Sequence, residues 1–193
     1  MTEQAGPRIA PLDPPYAENV GETLQRMMPP GVEPLKLFRT VAWNEHVLDR
    51  FRTTGAYLLN FGSLEPLERE IVIHRTCARC GCEYEWGVHA AVFARQVGLS
   101  EEQLEATVAG DPSAPVWSPR QALLVRLADV LHDDAAVSDG LWTELARHWD
   151  PPRLIELIAL AGFYHLVSFA ANTARVELEP GAGRFPSAGA LTG

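Results

Sequence analysis

The stretch that most limits how this chain can fold is EPLEREIVIHRTCARCGCEYEWGVHAAVFARQVG, residues 65–98. Pro66 stands where a helix accepts proline, in its first turn. Leu67, Ile71 and Val72 then recur at helical spacing. Gly81 offers the left-handed stop that ends many helices, and a second helix restarts at about Cys82 and runs to Val97 before Gly98. The pattern predicts two helices joined by one glycine, packed as a hairpin.

All three cysteines of the chain fall in this hairpin, with two of its six histidines. Cys82, Glu85 and His89 are spaced at i, i+3 and i+7, which places them on one helix face. Trp86 and Phe93 flank the same stripe, so a thiol, a carboxyl and an imidazole are set into an apolar surface. Ionisable groups on such a face are costly unless paired, and their pKa values move. Glu70, on the first helix, can reach the same place across the hairpin. Cys82 falls at a helix N-terminus, where free amides and the helix dipole favour a thiolate. The competing reading is a buried structural cysteine. Glu85 reads either as a solvated helix residue or as half of a carboxyl pair with Glu70. His74, four positions after Glu70, reads as an i, i+4 partner or as a group orienting Glu70. Tyr84 and Trp86, like His74, are candidates either to line the pocket or to support the groups that do.

Cys77 and Cys80 form a Cys-x-x-Cys, but Tyr84, not histidine, follows four positions later. Both fall near a helix C-terminus, where the dipole disfavours a thiolate. Disulfides from Cys82 to Cys77 or Cys80 stay open. Cys77, Cys80, Cys82 and His89 are four potential zinc ligands, yet they share one hairpin with no second knuckle. No metal site is expected from them.

Glu70, Cys82, Glu85 and His89, with GCEYEWGVHAAVFARQVGLSEEQ and the later GFYHLVSFAANT and ARVELE, resemble the carboxymuconolactone decarboxylase and alkylhydroperoxidase-D-like (AhpD-like) superfamily over roughly residues 32–179. In the peroxidase branch the motif is Glu, Cys-x-x-Cys, His. The resemblance implies that Glu70 matches the proton-relay glutamate, Cys82 the first cysteine and His89 the histidine. Glu85 stands where the second cysteine belongs. A carboxylate cannot resolve a sulfenic acid as a second thiol does.

The resemblance implies an all-α, AhpD-like multi-helix bundle that assembles as a homo-oligomer: dimer, trimer or hexamer. The expected activity is proton-transfer chemistry in a Glu/Cys/His pocket, on a small organic acid, lactone or enolisable carbonyl compound, with no cofactor. One alternative is a thiol-dependent alkyl hydroperoxide reductase, a peroxiredoxin-type activity through Cys82. Another is a non-catalytic binding or assembly protein of the same family.

Composition narrows the rest. At 193 residues the length suits one domain, and a net charge of -9 speaks against nucleic acid and anionic membrane surfaces as partners. The N-terminus shows no signal pattern, and three bunched cysteines suit a reducing compartment, so a cytoplasmic protein is expected. The apolar run 154–171 carries Glu156, His165 and Ser168, and reads as a buried or interface helix. Tyr164, His165 and Asn172 on it are secondary candidates.

In chain order, residues 1–15 read as a proline-rich flexible arm, 16–179 as a single helical domain and 180–193 as a loose Gly/Ala/Pro tail. About eight helices are predicted and no strand. Asn44, Ser100, Ser118, Ser138 and Asp150 are the predicted N-caps, with Gln103 and Gln121 completing capping boxes.

Overall fold

A computed structural model of the protein describes residues 6–186. Among these residues there are nine helices and no strand: α1 (Glu18–Arg26), α2 (Lys36–Val41), α3 (Glu45–Ala56), α4 (Pro66–Arg79), α5 (Glu83–His89), α6 (Glu101–Ala109), α7 (Pro119–Asp134), α8 (Asp139–Leu145) and α9 (Pro151–Ala174). The predicted caps are made. Asn44, Ser138 and Asp150 each accept a backbone N–H three residues on, and Ser100 and Ser118 form reciprocal capping boxes. Two helices run on into π-helical turns, α3 through Tyr57–Phe61 and α5 through Ala90–Ala94.

The elbow forms as the sequence predicts. Gly81 takes a φ of 61°. Its N–H reaches the Ala78 carbonyl at 2.9 Å, and the Cys82 N–H reaches the Cys77 carbonyl at 2.8 Å. These two bonds close α4 in a Schellman motif.

Helix α4 is the axis of the domain, packed by α5, α6, α7 and α9. Ile71, Val72, Ile73 and Cys77 are fully buried. Arg75 and Glu68 are buried as well, and both are paired. Arg75 makes a two-bonded pair with Asp129 of α7, at 2.6 and 3.0 Å, and also donates to the Thr107 and Gly110 carbonyls. Glu68 accepts from Arg120 and from the Trp149 indole, with the Arg120 guanidinium lying over that ring.

The entry to α4 is set from α9. The buried Glu156 carboxylate accepts from the Ser63 N–H and Oγ, each at 2.8 Å, and from the Leu64 N–H at 3.3 Å. A methyl group at Gly62 would come within 2.0 Å of that carboxylate and displace it from its bonds to Ser63 and Leu64.

Helix α9 is long and apolar enough to cross a membrane by length and composition. One flank buries Leu154, Leu157, Leu160, Ala161, Tyr164 and Val167 in the domain core, while Ile155, Ile158, Leu166 and Phe169 are exposed.

The chain ends lie on the bundle where they are described. Arg8 donates from its backbone to the Ala174 carbonyl, and the Trp43 indole donates to Ala10. The expected loose tail is held as far as Phe185, whose N–H donates to Glu83 and whose ring meets Trp86 edge-on. Residues 1–5 and 187–193 of the expected arm and tail lie outside the described residues.

Two substitutions test this framework by chemical denaturation. Gly81→Ala forces alanine into a left-handed conformation with no clash, and is expected to cost about 1–2 kcal/mol. Glu156→Ala strands buried donors at the start of α4 and is expected to cost more, about 3 kcal/mol.

Candidate active site

Glu70 lies in the second turn of α4 and is fully buried; His89 closes α5 and is nearly so. The two meet across the elbow, with His89 Nδ1 donating to Glu70 Oε2 at 2.8 Å. On the other edge of the ring, His89 Nε2 lies 3.0 Å from the Tyr164 hydroxyl and 3.4 Å from Glu85 Oε1. The imidazole is thus suspended between a buried carboxylate, a phenol and a second carboxylate.

These surroundings set its charge. Burial alone would push the His89 imidazolium down. The Glu70 carboxylate and its hydrogen bond, with Glu85 beyond, outweigh that and raise it from 6.5 to about 9. For Glu70, burial pushes up while His89, His74 and Arg69 pull down, and the net direction is below the ordinary 4.5. An ion pair therefore sits here at neutral pH.

His74 is the reverse case. Its Nδ1–H donates to the Glu70 backbone carbonyl at 2.8 Å, and its Nε2 is buried without a hydrogen-bond partner. Burial and the neighbouring His89 charge lower it to about 4. It stays neutral and packs edge-on against the His89 ring, the centroids 6.0 Å apart.

Glu85, His89 and Tyr164 open onto a cavity of about 380 Å³. Its walls are mostly apolar, including Leu35, Phe38, Phe51, Leu59, Val88, Phe93, Phe163 and Val167, with Arg52 and Asn60 as further polar groups. Both π-helical turns contribute to these walls. A larger groove of about 630 Å³ lies between α3 and α9, lined by Asn44, Val47, Arg50 and Leu166 among others. It is more open and lacks the convergent acid–base groups, so the smaller cavity is the candidate site.

Cys82 departs from its expected thiolate state. It is the N-cap of α5, and the Glu85 backbone N–H does favour its charged form. Yet the side chain is fully buried, and burial wins, pushing the thiol up to about 11. Cys82 is not among the residues lining the cavity. It belongs to a buried thiol cluster with Cys77, which burial also raises, and the Ser168 hydroxyl. All three cysteines are free.

Neither Tyr84 nor Trp86 lines the cavity. The Tyr84 hydroxyl accepts from the Leu37 N–H at 3.0 Å and donates to Glu179, on the far side of α5. The Trp86 indole donates to Thr107 Oγ1 at 3.0 Å, and its ring backs His74. Arg52, whose Nε is buried without a partner, was not singled out by any motif in the sequence. Only its place in the fold identifies it.

Residues 45–129, which contain Glu70, Cys82, Glu85 and His89, match the model of the carboxymuconolactone decarboxylase family. Over this stretch, somewhat less than half of its length, the chain is similar to that family. The uncharacterized protein YnjA of Escherichia coli (strain K12) is 32% identical over 104 residues, 53% of this chain and 56% of YnjA. The match thus spans little more than half of that relative. An uncharacterized peroxidase-related protein from Silicibacter sp. TM1040 has a TM-score of 0.78 at 18% identity, over 95% of this chain and 100% of its own. The debrominase Bmp8 has a TM-score of 0.72 at 15% identity, over 90% of this chain and 92% of its own. At these identities the likeness is one of fold, an all-α fold shared also with the alkylhydroperoxidase AhpD core protein from Ralstonia eutropha JMP134, which has a TM-score of 0.75 at 19% identity over 91% of this chain and 94% of its own.

The two histidines are expected to titrate far apart. In a ¹⁵N NMR titration His89 should keep its charge until about pH 9, while His74 stays neutral down to about pH 4. The sign for stability follows. The His89 contribution is fully present below pH 6.5 and lost as pH rises through about 9; the neutral His74 contributes above pH 6.5 and is lost as pH falls through about 4. Glu70→Gln should bring the His89 value below its wild-type position, and an unmoved His89 titration would contradict the assignment of its charge to Glu70.

Proposed function

We propose that the protein is a proton-transfer enzyme of the carboxymuconolactone decarboxylase family, acting on a small organic acid, lactone or enolisable carbonyl compound. The observation that carries this reading is His89, held charged by Glu70 at the end of an apolar cavity with Glu85 beside it.

The chemistry needs a base and an acid at neighbouring atoms. The Glu85 carboxylate takes a proton from the carbon next to a carbonyl. As negative charge develops on the carbonyl oxygen, the His89 Nε2–H supplies a hydrogen bond or its proton, and Tyr164 adds a neutral O–H. Glu70 keeps the imidazolium charged and fixes its orientation without touching substrate. In the return step the proton moves from Glu85 to a different carbon for isomerisation. In decarboxylation the departing carboxyl leaves its electron pair on the carbon that is then protonated. Arg52, paired to Asp49 at 2.9 Å but with a free Nε, suits an anionic substrate group at the cavity.

The buried Cys82 thiol, with its raised pKa, argues against peroxide attack as the main activity. The homo-oligomer expected from the resemblance is supported by the exposed stripe of Ile155, Ile158, Leu166 and Phe169 on α9.

Solvent deuterium uptake into a panel of small oxo acids and lactones, followed by ¹H NMR, tests the reading. His89→Gln and Glu85→Gln should each lower uptake by about 10²–10⁴-fold, and Cys82→Ser should retain it. The wild-type rate should fall as pH rises through about 9, where the His89 acid is lost. No uptake on any panel member, together with thiol-dependent hydroperoxide consumption that vanishes in Cys82→Ser, would replace this mechanism with the peroxidase alternative.

A further inference from the structure

Three metal-ligating side chains meet at a place remote in sequence from the His89 pocket. Cys80 is the C-cap of α4, His132 lies in the last turn of α7, and His165 lies in the middle of α9. One ligand atom from each falls within 4.8 Å of the other two. His132 Nδ1 is 3.0 Å from His165 Nε2 and 3.8 Å from Cys80 Sγ. None of the three lines the catalytic cavity. Each is partly buried, so the cluster is reached from solvent.

We propose that Cys80, His132 and His165 form a binding site for a divalent transition-metal ion of the zinc class. The donor set, one thiolate and two imidazoles, is the borderline-soft combination such ions select, and a fourth position is left for water. For tetrahedral zinc, bonds of about 2.0–2.1 Å to nitrogen and 2.3 Å to sulfur put neighbouring ligand atoms roughly 3.3–3.6 Å apart. The existing separations of 3.0 and 3.8 Å bracket that range, so only small side-chain shifts are needed.

Two further features point the same way. His165 Nδ1 donates to the Ala161 carbonyl at 2.8 Å, which fixes its tautomer and leaves Nε2 with a lone pair facing His132. The backbone of Cys80 is held by the Asn172 side chain, which donates to its carbonyl at 2.9 Å. In addition, the C-terminal ends of α4 and α7 converge here, and the negative ends of two helix dipoles favour a cation. The nearby Arg79 guanidinium is offset by Asp129 and Asp133.

Without the ion, His132 Nδ1–H donates to His165 Nε2, so one proton occupies the gap. Binding replaces it: the Cys80 thiol releases its proton to solvent, and His132 moves its own from Nδ1 to Nε2. Three lone pairs then converge on the metal. The ion would tie α4, α7 and α9 together at one end of the bundle.

Metal-free full-length protein is titrated with Zn²⁺ by calorimetry and with Co²⁺ by absorption. The expected result is one equivalent per chain, a thiolate-to-cobalt charge-transfer band and a Zn²⁺-dependent rise in melting temperature. Cys80→Ser should abolish the charge-transfer band. His132→Gln and His165→Ala should each weaken Zn²⁺ by more than the ~10–100-fold typical of losing an outer-shell partner. His46→Ala, on the exposed start of α3, should leave binding unchanged. Circular dichroism checks that each variant folds; should Cys80→Ser not fold, His132→Gln and His165→Ala decide. Binding well below one equivalent would overturn the site, as would unchanged affinity in both histidine variants or a charge-transfer band that survives Cys80→Ser.

Discussion

The hydrogen-bonded ion pair between Glu70 and His89 is the constraint around which this domain is arranged. Glu70 is fully buried and His89 nearly so, and a lone charge in that position would be heavily penalised. Each makes the other tolerable, and together they pin the last turn of α5 to the second turn of α4. The pair also explains why a neutral histidine lies next to them. His74 cannot share the charge, because its neighbour already carries it and its own surroundings exclude water.

Around this pair the buried polar groups divide into two kinds. Arg75, Glu68 and Glu156 have several partners each and serve to place helices. Glu70 Oε1, His74 Nε2 and Arg52 Nε have none in hydrogen-bond geometry. Native interiors rarely leave such atoms unpaired. Of these, Arg52 lines the cavity, while Thr40 Oγ1, Thr76 Oγ1, Trp117 Nε1 and Ser168 Oγ are unpaired elsewhere in the bundle.

Much of the framework was legible in the chain itself. The elbow at Gly81 needs only a residue tolerant of positive φ after a helical repeat, and the caps at Asn44, Ser100, Ser118, Ser138 and Asp150 are local chemistry. The convergence of Glu70, Glu85 and His89 followed from helical spacing plus one hairpin. What local rules could not show was depth. Cys82 has the helix N-terminus that lowers a thiol pKa, but it is fully buried, and the sign reverses. Tyr84 and Trp86 were adjacent to the right residues yet turned to other partners, Glu179 and Thr107, chosen by long-range packing. The meeting of Cys80 with His132 and His165 spans three helices, and no spacing rule connects them. The two π-helical turns were equally hidden, since each depends on the tertiary setting of an otherwise ordinary helical run.

The contact between Gly87 and Gly183 carries a final implication. The Gly183 N–H donates to the Gly87 carbonyl at 2.9 Å, and a side chain at Gly87 would strike the Gly183 backbone at 2.2 Å. Gly87 sits between Glu85 and His89, so the segment around Gly183 acts as a splint along the helix that presents both groups. The positions of Glu85 and His89 are thereby tied to a non-helical segment distant in sequence, whose displacement would be felt at the cavity although none of its residues lines it.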